Sequence, residues 1–327
     1  GGSWTAIQSS NATSWNASGQ GNGTYAYRAQ GCNGGGCGPW SNIGTAVVTH
    51  PPASAPSASV PGTSSTGSYT VSWTAVATAT SYTLQEQLNG SGWTTVQANG
   101  ATGWGASGRG NGTYGYRVQA CNVGGCGPWS GTVSVVVTLP PASAPSLSMP
   151  SNSTNGSYTV SWGGVSTATS YTLQEQVNGG SWSTVQASGA TSWSTSGRAN
   201  GTYGYHVQAC NVGGCGPWSG VSSVSVLNPP PTPTGLTATD YLVYETDVRP
   251  PQRYELDASW SAATGAASYN VQNCLQSGVC TTQTTATPSI SWPATTSASA
   301  SLSVQACNAS GCSAWSAAIT PPIVQQQ

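Results

Sequence analysis

Pairs of cysteines set just before a tryptophan recur four times in this chain. "ACNVGGCGPWSG" stands at residues 120–131 and again at 209–220, "GCNGGGCGPWSN" at 31–42, and "ACNASGCSAWSA" at 306–317. Thiols so placed can serve a zinc site, a redox centre or a disulfide. Zinc needs about four ligands, yet each copy offers one pair, and His50 and His206 are the only histidines. A redox thiol favours a two-residue spacing in a cationic setting, and neither recurs in every copy. "NVGG", between Cys121 and Cys126, has the length and composition of a hairpin loop. That sets the two cysteines opposite one another on antiparallel strands, within disulfide reach and on the outward face.

Five structural disulfides are therefore expected: Cys32–Cys37, Cys121–Cys126, Cys210–Cys215, Cys307–Cys312 and, from "CLQSGVC" at 274–280, Cys274–Cys280. Loops this short contribute about 2 kcal/mol by chain entropy, so their larger effect is to fix hairpin register.

Composition narrows the function. Six Arg, seven acids and a net charge of −1 in 327 residues give no attraction for nucleic acid or an anionic membrane. Fourteen Trp and fourteen Tyr argue against disorder. Paired cysteines point to an extracellular or cell-surface location. No apolar run approaches the ~18–20 residues of a membrane span, and no signal peptide is visible, so any such segment is removed or lies outside this sequence. Outside 240–257 the only acids are Glu86 and Glu175, and no Ser–His–acid arrangement, phosphate loop or metalloprotease motif appears. Neither an enzyme nor a cofactor is expected.

The elements that carry these motifs repeat. Cys32, Cys121 and Cys210 are 89 residues apart, as are Trp40, Trp129 and Trp218, Tyr25, Tyr114 and Tyr203, and Trp15, Trp104 and Trp193. "PPASAPS" at 51 and at 140 opens full repeats over 51–139 and 140–228. A diverged unit follows over 229–320, and 321–327 reads as a linker or tail. Residues 1–50 match only the C-terminal half of a unit. They are either a window onto a longer polypeptide, the favoured reading, or completed by strands from another subunit, which would build a filament.

Alternation within a unit is that of strands. "YTVSW" (69–73) sets Tyr69, Val71 and Trp73 on one face, and "TYGYRVQAC" (113–121) sets Tyr114, Tyr116, Val118 and Ala120 inward, leaving Arg117 outward. About seven short strands per unit and no convincing helix indicate an all-β chain of tandem sandwiches. Each unit resembles a fibronectin type III domain, an immunoglobulin-like sandwich. The resemblance rests on Trp73, Trp162 and Trp260 and on the phrase "GTYGYRVQACN…G.GPWS". It implies that Tyr25, Tyr114 and Tyr203 are corner tyrosines; Ala300 stands there in the fourth unit, whose corner must be held differently. "YRVQACN" and "CGPWS" also resemble the arrays beside YD-repeat regions in large bacterial surface proteins.

Other candidates are fewer. Arg117 should stack on Trp129, and Arg28 on Trp40, across their hairpins. Trp4, Trp93 and Trp182, amid amides and hydroxyls, could stack on sugars, against the plainer reading that they pack. Asp240, Glu245, Asp247, Glu255 and Asp257 crowd together but lack the every-second-residue spacing of calcium loops, so a solvated hairpin is the plainer reading. Asn-x-Ser/Thr sequons at Asn11, Asn22, Asn111, Asn200 and Asn308 leave glycosylation open. The function expected is a semi-rigid extracellular stalk or fibre segment that self-associates or adjoins further domains. A glycan-binding adhesin array and a spacer beside a secreted enzyme or toxin are the alternatives.

Overall fold

Strict alternation of aromatic or β-branched residues with Ser, Thr and Gln favours strands with one buried face, and Gly, Asn and Pro punctuate them. The computed structural model describes residues 2–243 and 253–325. Among these it contains strands and no helix, in two compact units. One unit comprises Gly1–Pro140 with Val212–Gly214, the other Pro141–Asn211 with Cys215–Gln327.

The first unit contains one complete sandwich. Its smaller sheet orders Gly103–Ala106, Tyr69–Trp73 and Ala58–Ser59. Its larger sheet orders Thr63–Ser64, Val133–Val137, Gly112–Asn122, Ser81–Leu88 and Thr94–Asn99, with Gly125–Trp129 also paired to Gly112–Asn122. This is the expected seven-strand sandwich with its first and last strands each broken in two. Trp73, Val71, Tyr82, Leu84, Tyr114, Tyr116, Val118, Val135 and Val137 form the core. The Asn89–Gly90 turn has φ of 50° and 76°, the left-handed pair of a tight hairpin, which joins 81–88 to 94–99. The described residues up to 50 form the pair Gly23–Tyr27 with Gly44–Val48, and a short hairpin at Cys32–Cys37.

The second unit holds two sandwiches. The one over 147–226 repeats the topology and register just described, with Val160, Trp162, Leu173, Tyr205, Val207 and Val224 in its core. The diverged one over 236–319 packs Leu256, Trp260, Tyr269, Val271, Trp292, Leu302 and Val304. Here the reading of 321–327 as a tail is corrected. Ile323–Gln325 lies parallel to Asp240–Leu242 as an edge strand. "IVQ" follows the Pro-Pro step where the repeats have "ASAPS", and its β-prone residues can extend the sheet.

Candidate functional site: stacked cations and clipped hairpins

All five cysteine pairs are bonded. Each hairpin bridge joins strands whose Cα atoms are 4.0 Å apart, or 3.9 Å for Cys274–Cys280. The bridge sits on the outward face of the sheet, yet Cys121, Cys210 and Cys307 are buried while Cys126 is exposed. The chain entering the sandwich crosses the hairpin in the first unit. Asn122 Nδ2 donates to the His50 carbonyl at 2.9 Å and to that of Thr78 at 3.2 Å. A Cβ on Gly124 would lie 2.1 Å from Thr49 O, and one on Gly127 2.2 Å from Pro52 O. Only glycine allows this approach of backbone to backbone. The diverged sandwich keeps the contact, with Asn308 Nδ2 donating to Asn228 O at 2.9 Å.

The serine that follows the tryptophan of each copy, in "PWS" or "AWS", belongs to the same hairpin. Its Oγ accepts the facing amide in every copy: Ala29 N to Ser41, Val118 N to Ser130 and Val207 N to Ser219 at 3.0 Å, and Val304 N to Ser316 at 3.1 Å. In the repeat over 51–139 the ladder shifts register between Gln119 and Cys121. A hydroxyl therefore supplies hydrogen bonding that a bulge disturbs.

Next to the hairpins at Cys32–Cys37, Cys121–Cys126 and Cys210–Cys215 lies a three-layer stack. Arg117 Cζ stands 4.3 Å from the Trp93 ring centre and 4.5 Å from that of Trp129. Its Nε and Nη2 both donate to Gln85 Oε1, at 2.9 and 2.7 Å. Arg28 sits likewise between Trp4 and Trp40 at 4.1 and 4.3 Å. His206 lies between Trp182 and Trp218, with ring centres 3.8 and 4.0 Å away and Nε2 at 2.8 Å from Gln174 Oε1. Burial pushes the His206 pKa down. The sequence separates Trp93 and Trp182 as sugar-stacking candidates from the Arg–Trp pairs, but the structure joins them in one assembly. Each of these rings has one face against a cation or an imidazole.

A second constellation, not read from the sequence, lies inside each full repeat. Glu86 Oε2 accepts from Tyr116 Oη at 2.6 Å and pairs with Arg109 Nη2 at 2.9 Å, while the Tyr69 and Tyr116 hydroxyls lie 2.7 Å apart. Glu175, Arg198, Tyr205 and Tyr158 repeat the arrangement. Burial, with the neighbouring carboxylate, pushes the Tyr116 and Tyr205 hydroxyls far above the usual phenol range. These groups face one another inside the sandwich and hold its interior together. The available signal was that Glu86/Glu175 and Arg109/Arg198 share the 89-residue step.

The corner tyrosines donate four residues back: Tyr25 to Gly21 O at 3.0 Å, Tyr114 to Gly110 O at 3.3 Å and Tyr203 to Ala199 O at 3.0 Å. In the diverged sandwich Asp240 Oδ2 and Oδ1 accept from Ser299 N at 2.6 Å and Ser299 Oγ at 3.1 Å, next to Ala300. Asp240 is 1 % exposed, so it is neither a solvated hairpin residue nor free for calcium. Asp257 faces a depression of 440 Å³ lined by Thr285, Thr287, Ser289 and Ser291. Glu245 and Asp247 lie outside the described residues. Among the described residues no three His, Cys, Asp or Glu converge as for a metal.

No family model matches the chain, and no curated protein matches it. Among solved structures it is similar to the "Crystal structure of chicken CNTN1 FN1-FN3 domains", at 17% sequence identity over 82% of this chain and 98% of that one, with a TM-score of 0.33.

Proposed function

We propose that the chain is a non-catalytic, extracellular structural array, a semi-rigid stalk or fibre segment made of disulfide-clipped sandwiches. The observation that carries this reading is the seating of the Thr49–Pro52 segment on the clipped hairpin, through Asn122, Gly124 and Gly127. A connector held at several backbone positions loses the freedom of a tether, and Pro-Pro stiffens it further. The polar side chains that look chemical, Glu86, Arg109 and Arg117, are held by internal partners. Five disulfides support the location. The narrower likeness to bacterial arrays beside YD-repeat regions rests on "YRVQACN" and "CGPWS" alone.

Small-angle scattering of the chain, with and without the 229–327 segment, tests the reading. A stalk shortens by one module's length of about 30 Å, the span of nine residues in a strand. An unchanged maximum dimension overturns it. Glycan-array binding that disappears in Trp93→Ala and Trp182→Ala would replace it with the adhesin reading.

A further inference from the structure

Eight Asn–Gly steps occur in the chain. Glycine leaves the peptide nitrogen that follows an asparagine unshielded, so that nitrogen can attack the side-chain amide carbon and close a five-membered imide. How fast a step reacts depends on where the fold points its side chain. Asn22, Asn111 and Asn200 accept at Oδ1 from a backbone amide 28 residues ahead, and Asn89 and Asn178 from one 24 residues ahead. These five side chains are tied to another stretch of chain instead of folding back on their own glycine.

The other three fold back. Asn33, Asn99 and Asn155 accept from the amide two residues on, at 2.9, 2.9 and 3.0 Å. This closes an Asx turn, which lays the amide carbon beside the intervening Gly peptide. Asn33–Gly34 lies inside the loop closed by Cys32–Cys37. Gly156 is buried, its carbonyl accepts from Arg198 N at 3.1 Å, and a Cβ on it would lie 2.5 Å from Arg198 O, so its peptide is pinned. Gly100, by contrast, is exposed. Asn99 Oδ1 also accepts a second bond, from Gln97 Nε2 at 2.9 Å. Ring closure places negative charge on that oxygen, and two donors already point at it. In the next repeat Ser188 stands at the place of Asn99, and its Oγ accepts from Gln186 Nε2 at 3.1 Å and Ala190 N at 3.3 Å. The turn therefore needs only an acceptor, and the acyl group of Asn99 is additional to it.

We propose that Asn99 is a self-modification site, the asparagine of this chain that first turns over to aspartate and isoaspartate. Hydroxide removes the Gly100 amide proton, and the nitrogen bonds to Asn99 Cγ. The oxyanion of the tetrahedral intermediate then sits on Oδ1, between Gln97 Nε2 and Ala101 N. The Cγ–Nδ2 bond breaks, and ammonia leaves with a proton taken from water. A second water opens the imide at either carbonyl, giving aspartate or, with one more methylene in the main chain, isoaspartate. Water is the only co-reactant. Each event adds one negative charge to a chain whose net charge is −1. The new carboxylate stands at the end of Thr94–Asn99, opposite Tyr82.

The test holds the full chain at mildly alkaline pH and follows every Asn–Gly step by peptide mapping and mass spectrometry. The peptide containing Asn99 should show the acid products first, about five- to ten-fold ahead of the other steps, which is what one hydrogen bond is worth in a rate. Gln97→Leu should slow it by about the same factor, because one donor to the oxyanion is gone. Asn99→Ser, which copies the next repeat and so keeps the turn, should remove the signal. In urea, where no turn holds the side chains, the rates should converge. Another step reacting first in the folded chain overturns the proposal. The same ranking in urea also overturns it, since neighbouring sequence would then set the order, and an unchanged rate in Gln97→Leu overturns the role of the second donor.

Discussion

The interiors of the 147–226 and 236–319 sandwiches solve one problem in two ways. In the first, Tyr158, Glu175 and Tyr205 form a hydrogen-bonded chain closed by Arg198. In the second, Leu256, Asn273 and Leu302 take those three places, and Asn273 Oδ1 is buried without a partner. The outer faces differ in parallel. Where the repeat stacks His206 between Trp182 and Trp218, the diverged sandwich has Ser303, and Cys280 stands at the place of Trp182, bonded to Cys274. The two-sheet fold therefore depends on the alternation of inward apolar residues, not on the polar interior or the stack. Those are interchangeable ways of fixing strands that alternation has already paired.

The contrast can be broken most sharply at the interior acid. Glu175→Ala should lower the stability of its sandwich by about 3 kcal/mol, because Arg198 and the Tyr205 hydroxyl lose the carboxylate they share. Asn273→Ala should cost about 1 kcal/mol or less, since its carbonyl already lacks a partner. Urea unfolding of each variant measures both, and equal losses would end the distinction. Alkali should separate the two next. The native pKa of Tyr205 is raised, so its contribution is complete below the unfolded value of about 10 and falls as pH climbs beyond it. Calorimetry above that pH should show the repeat melting earlier relative to the Leu302 sandwich.

Cys274→Ser with Cys280→Ser should cost about 2 kcal/mol, seen as earlier unfolding of the diverged sandwich alone. The smallest effect is expected at His206. Its lowered pKa means that the native ring resists protonation. Its stabilisation is present above the unfolded value of about 6.5 and is lost as pH falls through the native one. A His206→Arg variant, which copies Arg117, should abolish that acid sensitivity in thermal melts, and a persisting pH slope would assign it elsewhere.

The strands were legible because alternation is local. Tyr69, Val71 and Trp73, or Tyr114, Tyr116 and Val118, declare their shared face within a few residues. The hairpin disulfides were legible for the same reason, since their ends lie five or six residues apart. Glu86 and Arg109 are 23 residues apart and meet only once the sheets have packed. Trp93 reads as an isolated surface aromatic because Arg117, which it covers, lies three strands further on. Gly124 reads only as part of the "NVGG" turn and Gly127 carries no local signal, because their closeness to Thr49 O and Pro52 O depends on a connector arriving from outside the hairpin.

The span of the disulfides has a mechanical consequence. Each bond closes a loop of only four or five residues. A loop of that size withholds about 14–18 Å of extended contour, at roughly 3.5 Å per residue. A sandwich pulled from its ends could thus still unravel across nearly all of its length, oxidised or reduced. These bonds leave extensibility almost untouched, so tensile strength in such a chain must come from the backbone ladders between strands.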